Sequence, residues 1–97
     1  MNREEHLLTC LAEECAEVGQ RVSKALRFGL DEVQPGQPLR NSDRILEELR
    51  DLFAVAEILA SEGVIGWCMP DRMEVHAKLA KIERFMSISR RQGVLSA

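Results

Sequence analysis

A chain of 97 residues, 45% hydrophobic and 30% charged, has room for one domain and buries only about 60–65% of the surface its unfolded form exposes. Six Gly, three Pro, no Tyr and sparse strand-formers exclude collagen-like, mucin-like and disordered classes and favour a helical one. The formal charge of −3 is uneven: residues 1–70 carry 7 basic and 13 acidic side chains and residues 71–97 carry 6 and 3, so the larger part offers no electrostatic footprint for nucleic acid.

Asn2 followed by Glu5 makes a capping-box-like start, and Leu7, Leu8, Leu11, Cys15, Val18, Val22, Ala25 and Leu26 then recur at helical spacing, predicting a first helix over about 3–28. Gly29 stops it. Residues 29–40, with Pro35-Gly36-Gln37-Pro38 at their centre, sustain neither a helix nor a central strand and read as a loop long enough to be functional. Asn41-Ser42-Asp43 supplies caps and first-turn acidity for a second helix, with apolar positions Ile45, Leu49, Leu52, Phe53, Val55, Ala56 and Leu59 and an end at Gly63. Residues 63–69 allow a short helical turn without requiring one. Pro70-Asp71, with Glu74 three residues beyond Asp71, starts a third helix whose stripe is Val75, Leu79, Ile82 and Met86 and whose end lies near Arg90, Arg91 and Gly93.

The expected architecture is therefore all-α: one domain over 1–97, an antiparallel bundle of three main helices. A bundle this small needs its core completed by a second chain, which predicts a homodimer or homotetramer. The longest uncharged stretch, Gly63 to Pro70, is too short to cross a membrane, and the acidic start is unlike a signal peptide. Cys10, Cys15 and Cys68 form no CxxC pair and cannot all be bridged within one chain. These features predict a soluble, cytoplasmic protein with no membrane or nucleic-acid partner and with cysteines that serve packing, Cys15 in the middle of the first apolar arc.

The acidic residues carry the chemistry. At about 100° per residue, Glu14 lies at the edge of the first helix's apolar stripe with Glu17 one step round, and Glu48 lies inside the apolar arc of the second helix with Asp51 three residues on. Two helices thus each present a carboxylate pair at i, i+3 toward one interior. Four ionised carboxylates brought together need a positive neutraliser, and an all-oxygen ligand set suits Mg²⁺, with Mn²⁺ second. Neither His6 nor His76 has the Glu-x-x-His spacing of carboxylate-bridged di-iron bundles, and both read as surface residues. The competing view is a pair of solvated faces laced by pairs such as Glu17 with Arg21.

The strings Glu13-Glu14-Cys15-Ala16-Glu17 and Glu48-Leu49-Arg50-Asp51 resemble the EExxE and ExxD motifs of MazG-type nucleoside triphosphate pyrophosphohydrolases, an all-α superfamily, over most of the chain. The resemblance implies Mg²⁺-dependent cleavage between the α and β phosphates of a nucleoside triphosphate, giving monophosphate and pyrophosphate. By position it implies Glu14, Glu17, Glu48 and Asp51 as catalytic metal ligands and Glu13 as an acid that orients water or a ligand. The 30-residue spacer between Glu17 and Glu48 is slightly longer than usual in that group, and the third helix lacks the asparagine many relatives place near the phosphates. Phosphates also need cations: Arg21 and Lys24 continue the Glu14 and Glu17 face, while Lys78, Lys81 and Arg84 line one side of the third helix. Lys24, Lys78, Lys81 and Arg84 are the candidate substrate-binding residues. Trp67 reads as core or interface before it reads as a base-stacking platform. The alternatives are a non-enzymatic helical interaction module and a related all-α phosphohydrolase acting on nucleoside diphosphates or phosphoribosyl-ATP.

Overall fold

The Asn2 side chain accepts the backbone N–H of Glu5 at 2.8 Å, satisfying one donor that a helix start leaves open, and helix α1 runs from there over Arg3–Phe28. In the computed structural model, which describes residues 1–96, two further helices follow, α2 (Asn41–Ser61) and α3 (Arg72–Arg91), with no strand among the described residues. At the end of α1, Gly29 takes φ 102°, a conformation that a side chain would strain, while its N–H still reaches the carbonyl of Ala25.

The connecting loop is folded back onto the start of α2. The backbone N–H groups of Asn41 and Ser42 donate to the carbonyls of Glu32 and Leu30, at 2.9 and 3.0 Å. Asn41, only 2% exposed, also donates through its side-chain amide to the Gly29 carbonyl at 2.8 Å and to Glu32 Oε1 at 3.3 Å. This differs from the capping role expected of Asn41-Ser42-Asp43. Arg40 holds the cap position without a side-chain capping bond, because loop carbonyls already take the first donors of the helix, and Asn41 is freed to clamp the loop. At the other end, Gly63 at φ 74° lets its own N–H and that of Val64 return to the carbonyls of Ala60 and Leu59, closing α2 with a Schellman motif.

Helices α1 and α2 form an antiparallel hairpin, with Arg3 at the start of α1 paired through two nitrogens to Glu62 just past α2, at 3.0 and 2.8 Å. The buried core residues are Ala25, Ala56 and Leu59, and Leu59 is fully enclosed. Around them, the less exposed positions of α1 include Leu7, Leu11, Glu14, Val18, Arg21 and Ala25, and those of α2 include Ile45, Glu48, Leu52, Val55 and Leu59. Both sets alternate steps of three and four, the seam of a coiled-coil-like pair. Cys15, expected at the centre of the packed arc, is exposed, because the seam runs through Glu14 and Val18 and leaves Cys15 to one side.

Helix α3 begins with a complete capping box between Asp71 and Glu74 and ends in a second Schellman turn at Gly93. No Cα of α3 comes within 8 Å of α1 or α2. Within one chain, the expected three-helix bundle is thus a two-helix hairpin with the third helix standing away from it. The connector is held to α2 by Trp67, whose ring stacks on Phe53 at 5.8 Å between centroids. The stripe Val75, Leu79, Ile82 and Met86 lies open, between 36% and 51% exposed. The radius of gyration is 16.9 Å, against about 13 Å for a compact chain of this length.

With so few enclosed side chains, the hairpin depends heavily on Leu59. Leu59→Ala is expected to cost about 2–4 kcal/mol, read as a lowered urea midpoint at constant slope.

Candidate metal centre

The antiparallel register that sets Arg3 opposite Glu62 also sets Glu14 opposite Asp51 and Glu17 opposite Glu48. One carboxylate oxygen from each of Glu14, Glu17 and Glu48 lies within 4.8 Å of the other two. Glu14 and Glu48 occupy seam positions and are half-buried, while Glu17 lies one step toward solvent. Oε2 of Glu14 and Oε2 of Glu48 are shielded from water and have no hydrogen-bond partner. Such oxygens are costly to bury as anions, and in folded proteins they call for a proton, a donor or a cation.

Proton affinities express the same strain. Loss of solvent pushes the Glu14 carboxyl above the ordinary carboxylate range, with the charges of Glu17 and Asp51 adding to it. Glu48 is also raised, first because its protonated form can donate to Glu17, then through burial and the neighbouring charges of Glu17, Glu14 and Asp51. The only positive group in ion-pair range of the cluster among the described residues is Arg21, whose Nε stands 3.9 Å from Glu48 Oε1. That distance gives Coulomb attraction without a hydrogen bond, and Arg21 Nη1 is itself buried without a partner.

The donor set fits a hard dication. All three ligands are carboxylate oxygens, two with unused buried lone pairs, and no His or Cys joins the group. Oxygens around one Mg²⁺ lie at most about 4.2 Å apart, close to the 4.8 Å within which these three already lie. Of the four ligands expected, three are gathered. Asp51 is exposed and outside this tightest group, at the rim, close enough for its charge to act on Glu14 and Glu48. Glu13 is exposed, and its charge is the smallest of those acting on Glu14.

The candidate cations divide. Lys24 is half-buried on α1, two turns beyond Glu17. Lys78, Lys81 and Arg84 are exposed on α3, which approaches neither helix of the acidic cluster, so one chain does not bring them to it. Lys78 and Lys81 instead border an open apolar groove with Ile82, Phe85 and Met86. Trp67 is half-buried against Phe53, and His6 and His76 are exposed. Arg21 is the residue whose place was least legible: its i+4 relation to Glu17 was visible, but its seam position facing Glu48 emerges only when the two helices pair. Comparisons with models of known protein families, with curated proteins and with solved structures return no match for the chain.

Raised carboxyls fix the sign of a pH dependence. Between the unfolded and folded titrations of Glu14 and Glu48 the folded state binds more protons, so both groups make the metal-free fold less stable as pH rises through that window. In chelator, Glu48→Gln is expected to melt above the wild type near pH 7.5. The gap should narrow as pH falls and Glu48 takes up its own proton, and thermal melts at stepwise lower pH check it.

Proposed function

We propose that this chain is a Mg²⁺-dependent nucleoside triphosphate pyrophosphohydrolase of the MazG-like kind, releasing pyrophosphate and a nucleoside monophosphate. The observation that carries this reading is the meeting of Glu14, Glu17 and Glu48 across the α1–α2 seam with two buried carboxylate oxygens left unpartnered. A solvated charged face has no need to bury such oxygens.

Glu14, Glu17 and Glu48 would hold the ion, with Asp51 available at the rim. When bound, a dication there would neutralise phosphate oxygens and help a coordinated water lose a proton near neutral pH. Glu13, facing solvent beside Glu14, orients water. The protein's contribution is placement and fixed charge, since phosphoryl transfer asks for little covalent work from side chains. Lys24 lies along the same helix as the acids, whereas Lys78, Lys81 and Arg84 reach a substrate only if α3 of a second copy lies against this hairpin.

That requirement joins the function to assembly. The open stripe of α3 is apolar and α3 carries six basic and two acidic side chains, while α2 carries five acidic and two basic. A homodimer or homotetramer that lays α3 on a neighbour's hairpin covers the stripe and brings cations toward the acids. Sedimentation is expected to give a species of at least twice the chain mass, and Ile82→Asp to shift it toward monomer. A purely structural helical module is the second reading, favoured by the same open stripe.

Incubating the protein with a panel of standard and damaged nucleoside triphosphates and Mg²⁺ separates these readings. Pyrophosphate release is expected, and Glu48→Gln should lower it about 100-fold or more while Glu57→Gln, exposed on the same helix, leaves it nearly unchanged. Orthophosphate release alone points to a different phosphohydrolase. No hydrolysis together with no metal-dependent calorimetric heat points to the structural module.

A further inference from the structure

Arg21 occupies a seam position where an apolar residue is the ordinary choice, and its side chain is 21% exposed. A guanidinium placed there for stability would fork onto a carboxylate with two short bonds, as Arg3 does on Glu62. Arg21 does not: its nearest approach to Glu48 is 3.9 Å, Nη1 has no acceptor, and Glu48 Oε2 has no donor. Donor and acceptor are both shielded from water, lie on facing helices and remain unbonded to each other. The arrangement suits a cation that must leave its carboxylate when another positive charge arrives.

Resting on the pyrophosphohydrolase reading, we infer that Arg21 is a built-in counter-cation that holds the place of the metal's charge before metal binds and turns to the substrate's phosphates once it has bound. Before loading, its charge offsets part of the repulsion among Glu14, Glu17 and Glu48 and so competes with the ion. With an ion held by Glu48, repulsion would replace attraction at Arg21, and its unpartnered Nη1 would be free to donate elsewhere. A phosphate oxygen is the acceptor it lacks. Lys24, one turn further along α1 and also half-buried, continues the path, so a triphosphate anchored at the acids extends along α1 toward Phe28. Metal and triphosphate binding are thereby coupled, each favouring the other. Arg21 is a positioning residue on the metal side of this cycle and a phosphate ligand on the substrate side.

Calorimetric titration of the 97-residue chain with Mn²⁺ alone, then of the Mn²⁺-loaded chain with a nonhydrolysable nucleoside triphosphate, tests the inference. Arg21→Gln is expected to bind Mn²⁺ about three- to tenfold more tightly than the wild type and the triphosphate at least about threefold more weakly. Arg21→Lys keeps the charge without the fork, so its Mn²⁺ affinity should stay within about twofold of wild type while triphosphate affinity still falls. Arg3→Gln, at the end of the hairpin away from Phe28, controls for net charge and should change neither. Circular dichroism confirms helix content in each variant, and Arg21→Lys carries the test if Arg21→Gln does not fold. Wild-type protein that binds no Mn²⁺ overturns the acidic-cluster reading and this inference with it. Wild type that binds Mn²⁺, with Arg21→Gln binding it equally or more weakly, overturns the inference alone. For Arg21→Lys the overturning result is unchanged triphosphate affinity.

Discussion

Like charges forced together across a helix seam are the constraint on which the rest of this molecule turns. Glu14 and Glu48 stand where a coiled-coil-like pair would normally place Leu or Ile, and Glu17 adds a third carboxylate beside them. The seam accepts them because its ends are secured elsewhere. Leu59, Ala56 and Ala25 fill the buried positions, the Arg3–Glu62 fork closes one end, and the Asn41 clamp closes the other. The middle of the hairpin then carries an electrostatic debt that packing alone does not settle.

Raised proton affinity, orphaned carboxylate oxygens and an imperfect arginine pair are three expressions of that one imbalance. A stability-driven design would replace the group with apolar residues of similar volume, since buried ion pairs rarely repay their desolvation. Retaining acids at interior positions at a cost to the fold is the pattern of a site built for a ligand. The exposed α3 follows from the same shortage: a chain of 97 residues has little core to spare, and the apolar side of its third helix is left open.

Much of this was legible in the sequence. The limits of α1, the breaker loop, the α2 end at Gly63 and the Asp71 capping box all follow from local rules of capping, periodicity and left-handed glycine, and the structure bears out each of them. The pairing of Glu14 and Glu17 with Glu48 was also foreseeable from angular position. Cys15 was misjudged for a definite reason. Locating the packed arc from apolar residues alone shifts its centre toward Cys15, whereas Glu14 and Arg21 are themselves part of the seam and move the true line to one side.

The sequence by itself determined that the chain is helical, where its helices begin and end, and which face of each carries the acids, because these depend on neighbours within a few residues. Tertiary structure alone decided that α3 leaves the hairpin, that Asn41 clamps a loop instead of capping a helix, that Asp51 stands outside the innermost three carboxylates, and that Arg21 faces Glu48 without bonding it. Each of these turns on distances between segments far apart in the chain, set by how two surfaces interlock, and spacing along a single helix carries no record of the partner it will meet.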